Sequence, residues 1–219
     1  MTRYKYVLFD LDGTIAASAD GIRHSLERML ETLGREKPDL SDYTVYIGPP
    51  LYDTLRGLCA LPEELVEEGY NLYRHFYEKE GSSMNKPYEG IEAVLKALKN
   101  NGLKLAVCSS KLEPTAVEVI RFLGLSEYFD AVCGSNRDGS RKDKRDLIPY
   151  AIEMLGGSKA ESVMLGDTFY DAKGAEETGV DFIACSYGYG SDEAMREYHP
   201  TLWAKAPGEL IELILNKKQ

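Results

Sequence analysis

Tyr6-Val7-Leu8-Phe9-Asp10-Leu11-Asp12-Gly13-Thr14 is the stretch on which the fold turns. Four β-prone apolar residues run directly into two aspartates and a glycine, so a strand ends here in a tight polar turn. Asp10 and Asp12 therefore stand close together at a strand's carboxyl end. Two neighbouring carboxylates raise each other's proton affinity unless a cation intervenes. One can then serve as a nucleophile kept ionised by a metal, while the other holds and delivers a proton.

Outward from this point the same construction repeats. Leu103–Cys108 is a second strand candidate that runs into Ser109-Ser110-Lys111, Ser162–Leu165 a third that runs into Gly166-Asp167, and Phe182–Cys185 a fourth. Between them, apolar residues recur at helical steps at Ile91, Val94, Leu95 and Leu98, at Ala116, Val119, Ile120 and Leu123, and at Leu147, Ile148, Ala151, Ile152 and Leu155. Alternation of this kind predicts an α/β fold with a parallel, Rossmann-like sheet flanked by helices. Ligands of such sheets bind beyond the carboxyl ends of the strands, where Asp10, Ser109 and Asp167 all fall.

Residues 15–88 break the rhythm. One helix is predicted from Ile22, Leu26, Met29, Leu30 and Leu33, and another, opened by Pro62, from Leu65, Val66, Tyr70, Tyr73 and Tyr77. The rigid Ile47-Gly48-Pro49-Pro50 lies between them. The expected organisation is a first core segment over 1–14, an inserted all-helical cap over 15–88, and the remaining core over 89–219. Tyr70, Tyr73 and Tyr77 read as packing residues.

Gly166-Asp167-Thr168-Phe169-Tyr170-Asp171 supplies two more carboxylates four residues apart, which share a side if the turn is helical. Oxygen ligands of this type suit Mg²⁺, which keeps several waters and takes one or two carboxylates together with substrate phosphate. Ser109 and Ser110 can orient phosphate oxygens, and Lys144, heading an amphipathic helix, can neutralise charge. Lys142 is a rival for that role.

Taken together, Asp10-Leu11-Asp12-Gly13-Thr14, Ser109, a following lysine, and Gly166-Asp167-x-x-x-Asp171 resemble the haloacid dehalogenase-like phosphatase superfamily. The order and spacing match across essentially the whole chain. The resemblance implies a helical cap inserted after the first strand, as in phosphoglycolate phosphatases and related 5'-nucleotidases. It implies that Asp10 attacks phosphorus and that Asp12 protonates the leaving oxygen and then activates water. Ser109, with Gly13 and Ser110, would bind phosphate and Lys144 would hold Asp10 in register. Asp10, Asp12 through its backbone carbonyl, Asp167 and Asp171 would hold Mg²⁺. Two departures stand out: Ala17 and Ser18 replace an acidic residue common after the first motif, and Lys142-Asp143-Lys144-Arg145 lacks the usual Lys-Pro pair.

The segments 43–51 and 134–140 are similar to the nucleotidase-like branch, so a nucleoside 5'-monophosphate is the expected substrate. Phosphoglycolate is the alternative, and a sugar-phosphate mutase or phosphotransferase a more distant one. Arg23, Tyr43, Gly48, Pro49 and Arg56 are the candidates for specificity. The formal charge of −10 opposes polymeric nucleic acid as a partner. No run approaches the ~20 apolar residues of a membrane span, no signal-peptide pattern opens the chain, and Cys59, Cys108, Cys133 and Cys185 lack C-x-x-C spacing. A cytoplasmic protein, monomeric or homodimeric, is expected.

Overall fold

A computed structural model describes residues 3–37 and 43–216, with only the backbone of Tyr43. β1 (Tyr6–Phe9) lies at the centre of a six-stranded sheet. Val7, Leu8 and Phe9 are fully buried because both faces of a central parallel strand are covered. Alternation along the strand divides the interior. Val7 and Phe9 point into one apolar core and Leu8 into the other, beside Leu147, Ile148 and Ala172.

After β1 the chain forms β2 (Ala16–Ala17) and α1 (Ala19–Thr32), then a 3₁₀ turn over Tyr43–Tyr46 and α2 (Leu51–Asp53). A π-helical turn over Thr54–Leu58 leads to α3 (Glu63–Lys79). β3 (Lys86–Pro87) returns antiparallel to β2, pairing Ala16 with Pro87 and Ala17 with Lys86. Thus the helices between β2 and β3 leave and rejoin the sheet layer through one two-stranded ribbon.

The rest alternates strictly. α4 (Ile91–Asn100), β4 (Lys104–Leu112), α5 (Glu113–Phe122) and β5 (Ala131–Ser135) follow in order. Then come α6 (Lys144–Met154), β6 (Ser162–Gly166), α7 (Phe169–Thr178) and β7 (Asp181–Cys185). α8 (Asp192–Arg196), β8 (Leu202–Ala204) and α9 (Glu209–Leu215) close the described chain.

The strand order is β5-β4-β1-β6-β7-β8, and every pairing is parallel. This is the Rossmann-like parallel core expected from the sequence. From β1 the chain builds outward to β5 on one side, then crosses back to build β6, β7 and β8 on the other. The switch point therefore lies at β1, and the crevice it opens is where such sheets bind ligands. Phe9 pairs with both Val107 and Leu165, so Asp10 emerges level with Cys108 and Gly166.

Three differences from the sequence reading have local causes. β5 and β8 are added strands: β5 is small-residue and half-buried at its start, and β8 has only three residues. β4 does not stop at Cys108 but continues to Leu112 through a register shift. α7 begins at Phe169, so Asp167 precedes the helix and its nearness to Asp171 comes from the turn, not from a shared helical face.

Leu8 is the test of this core. Leu8→Ala should lower the unfolding free energy by about 2–5 kcal/mol, as for other fully buried leucines, measured by urea denaturation. A loss below about 1 kcal/mol would mean that the sheet centre lies elsewhere.

Candidate functional site

The turn after β1 brings Asp10 to the switch point, its N–H donating to the carbonyl of Leu165 at 2.8 Å. Asp10, Asp167 and Asp171 are all buried, and one oxygen from each lies within 4.8 Å of the others. Lys144, the first residue of α6, is 5% exposed. Its ammonium reaches Asp10 Oδ1 at 2.6 Å, Asp171 Oδ1 at 2.5 Å and the carbonyl of Cys108 at 2.7 Å.

Each acid is also held from behind. Asp167 accepts from the Thr14 hydroxyl at 3.2 Å and from the N–H of Tyr189 at 2.8 Å. Asp171 Oδ2 accepts from the N–H and the hydroxyl of Thr168, at 3.1 and 2.8 Å. Asp171 thus caps α7 with one oxygen and faces the cluster with the other. Helix capping and contact with the cluster coexist in this residue.

Charge in this cluster does not balance. Burial pushes the Asp10 carboxyl up to about 7, against the pull of Lys144 and with a further push from Asp171. Burial likewise holds Asp167 well above the usual carboxylate range, reinforced by Asp10 and Asp171. Burial alone would lower Lys144, but Asp10 and Asp171 outweigh it and hold its proton more tightly than usual. Three buried acids share one ammonium. An all-oxygen donor set with surplus negative charge fits a hard divalent cation.

Above the cluster lies a cavity of about 120 Å³. Asp10, Asp12, Ser109, Ser110, Lys142, Lys144 and Asp171 line it from the sheet side, and Gly48 and Pro49 from the loop between the 3₁₀ turn and α2. Lys144 rather than Lys142 touches Asp10. Lys142 is 42% exposed and lies 3.8 Å from Asp53. Gly48, at φ 105°, sits so near Thr168 that a Cβ there would come within 2.9 Å of its methyl carbon.

Other expected residues lie elsewhere. Gly13 is outside the cavity wall: at φ 92°, a Cβ would fall 2.1 Å from Asp167 Oδ2, so its role is to let that carboxylate approach the turn. Arg56 points away, bound through two nitrogens to Glu63 at 2.7 and 2.9 Å. Arg23 is also off the wall, 4.0 Å from Asp20 and 45% exposed. The side chain of Tyr43 lies outside the described residues.

Two sets of residues were missed. Lys111 stands 3.0 Å from Asp12 Oδ2, and a lysine two residues after Ser109 on a continuing strand was the available signal. Tyr70, Tyr73 and Tyr77, expected only to pack, also form cavity wall together with Tyr46 and Tyr52.

A doubly wound parallel sheet with acidic side chains at its switch point defines an α/β protein with a carboxylate-based site. The sequence pattern of the haloacid dehalogenase-like hydrolases matches residues 7–185, and the chain belongs to that family. Tyrosine-protein kinase PtkA of Mycobacterium tuberculosis is 38% identical over 184 residues, 84% of this chain and 62% of that protein, so the match spans less than two thirds of the relative. A 5'-nucleotidase of Pseudomonas aeruginosa is 35% identical over 91% of this chain and 90% of its own length. A phosphoglycolate phosphatase of Aquifex aeolicus is 32% identical over 97% of each chain. The crystal structure of a predicted phosphatase from Clostridium acetobutylicum superposes with a TM-score of 0.90 at 35% identity, covering 96% of this chain and 97% of that one.

The charge surplus has a measurable consequence. With chelator present, Asp167→Asn should melt no lower than the unaltered protein, because the amide removes one of three buried acids that share a single ammonium. Saturating Mg²⁺ should raise the melting temperature of the unaltered protein, as expected for ~2.7 kcal/mol of linkage at a hundred times Kd. The variant should lose most of that rise.

Proposed function

We propose that this protein is a magnesium-dependent phosphoric monoester hydrolase acting on a nucleoside 5'-monophosphate. The observation that carries the proposal is the Asp10–Lys144–Asp171 ion cluster on the floor of a cavity whose upper wall is aromatic. Asp10, Asp167 and Asp171, with the backbone carbonyl of Asp12, would hold the ion. When bound, Mg²⁺ would supply charge neutralisation to the transferring phosphoryl group.

The protein's own groups account for the remaining steps. Lys144 fixes Asp10 through Oδ1, which offers Oδ2 to phosphorus. The Asp10 oxygen–phosphorus bond forms as the ester bond breaks, and Asp12 gives its proton to the departing oxygen. Asp12 then takes a proton from water, whose oxygen attacks phosphorus and frees Asp10. The Ser109 hydroxyl and the Lys144 ammonium donate to phosphoryl oxygens, and aimed donors of this kind contribute about 2.7–4 kcal/mol each to lowering a barrier.

Residues 15–88 act as the cap in this scheme. Tyr52 and Tyr70 stack at 4.4 Å on the wall, and an aromatic wall favours a flat base over the small carboxylate of phosphoglycolate. Arg74, a cation on that wall, is already bound to Glu78 at 2.6 Å. A second reading, transfer of the phosphoryl group to a hydroxyl acceptor, draws on the 38% identity to a protein named as a tyrosine kinase. Among the described residues no helix is long and apolar enough to cross a membrane. Three buried free thiols, Cys108, Cys133 and Cys185, support placement in the reducing cytoplasm.

Phosphate release from nucleotides, phosphoglycolate and sugar phosphates, with Mg²⁺ and with chelator, tests the proposal. Nucleotides should exceed phosphoglycolate in kcat/KM by at least about tenfold, ~1.4 kcal/mol, and chelator should stop turnover. Asp10→Asn should keep its fold and lose at least ~10³-fold in kcat, on the scale seen when a hydrolase loses its nucleophile. Nucleotide consumption without phosphate release would favour the transferase.

A further inference from the structure

Asp12 is held unevenly. Its Oδ2 lies 3.0 Å from the ammonium of Lys111, and the two side chains are only 13% and 10% exposed. Its Oδ1 is buried with no hydrogen-bond partner among the described residues. Leaving a buried carboxylate oxygen bare is costly. Asp12 lines the cavity, and Oδ1 is its one side-chain oxygen left without a protein partner among the described residues. A carboxylate gripped through one oxygen has the direction of the other fixed.

Lys111 is itself gripped from two sides. It stands on the stretch of β4 beyond Ser109, so the sheet side sets its backbone. Its ammonium also lies 4.2 Å from the ring centre of Tyr77, which belongs to α3. Tyr77 is 1% exposed, and its hydroxyl accepts from the Asn85 amide at 3.0 Å. A desolvated ammonium over an aromatic face is a favourable contact. Lys111 therefore touches Asp12 on the sheet side and the inserted helices on the other.

We infer that Lys111 is a positioning residue: it holds Oδ2 of Asp12 so that Oδ1 faces the leaving-group oxygen, and Tyr77 completes that grip when the inserted helices are seated. The inference rests on the acid–base role proposed for Asp12. Without the ammonium, the carboxylate can rotate, and misplacement of a reacting group by about 1 Å can cost ~10²-fold in rate.

Leaving-group dependence separates aim from mere stability. A nucleoside 5'-monophosphate expels an alkoxide that needs a proton, whereas p-nitrophenyl phosphate expels a phenolate that does not. In kcat/KM, which reports steps up to ester cleavage, Lys111→Met should lose ~10²-fold on the nucleotide and less than ~10-fold on the nitrophenyl ester, the range of general acid catalysis. Lys111→Gln gives the same comparison should the methionine variant fail to fold. Lys111→Arg should restore most of the nucleotide rate, and Tyr77→Leu should show the same bias to a smaller degree.

Equal loss on both esters, or no loss, overturns the role of Lys111. Asp12→Asn, measured alongside, tells the two ideas apart. Selective loss in Asp12→Asn without it in the Lys111 variants rejects Lys111 alone. Absence of selectivity in Asp12→Asn rejects the acid–base reading and the inference with it.

Discussion

The ammonium of Lys144 is the constraint around which the site is built. Three carboxylates, Asp10, Asp167 and Asp171, are withdrawn from water at the end of the sheet. Burying even one charge costs several kcal/mol unless it is paired and hydrogen-bonded. Lys144 bridges two of them and the carbonyl of Cys108, so the start of α6 is tied at once to β1, β4 and α7. The packing yields to this need. Gly174 in α7 lies where a Cβ would meet the Cβ of Lys144 at 2.3 Å, so the helix must be bare there for the lysine to pass. One ammonium still leaves negative charge in excess, which gives a divalent cation a physical reason to bind.

How much of this was legible depended on where burial forces a residue pattern. β1 is covered on both faces, and its unbroken apolar run ending at Asp10 made the strand and its acidic turn readable. β5 and β8 lie at the two sheet edges. Edge strands can be short and less apolar, and Ala131–Ser135 and Leu202–Ala204 carry little signal. Lys144 is favoured over its rival Lys142 by the sequence because it heads the helical pattern of Leu147, Ile148 and Ala151. The start of α6 separates them, placing one on the cluster and the other near Asp53.

The residues placed differently from expectation are those whose partners are local and charged. Nothing in an arginine's identity gives its direction, and Glu63 draws Arg56 away from the cavity. The spacing of Asp167 and Asp171 suggested one helical face, yet the helix begins between them. Both acids still meet, because the turn ahead of α7 is pinned by Thr14 and Tyr189 on one carboxylate and by Thr168 on the other. Lys111 was overlooked because the strand was ended three residues before it, where β4 shifts register but does not stop.

Chemistry and selectivity occupy different parts of this chain, and the way the parts are joined bears on how they cooperate. The groups proposed to act on phosphorus stand on the six-stranded sheet or the turn and helix beside it, with Asp10 just after β1, Ser109 within β4 and Lys144 at the start of α6. The aromatic wall belongs to helices joined to that sheet by one short ribbon, Ala16–Ala17 with Lys86–Pro87. A hinge of two residue pairs constrains closure weakly. Contacts between these helices and the sheet side must therefore supply much of the seating, among them Gly48 against Thr168, Lys142 near Asp53, Lys111 under Tyr77, and the Ala19 N–H donating to the Tyr189 hydroxyl at 3.1 Å. Two of these involve lysines of the sheet side. A bound phosphate monoester would touch the same surfaces from within, so substrate binding energy and closure energy are drawn from one set of groups, and a change in the wall should alter both together.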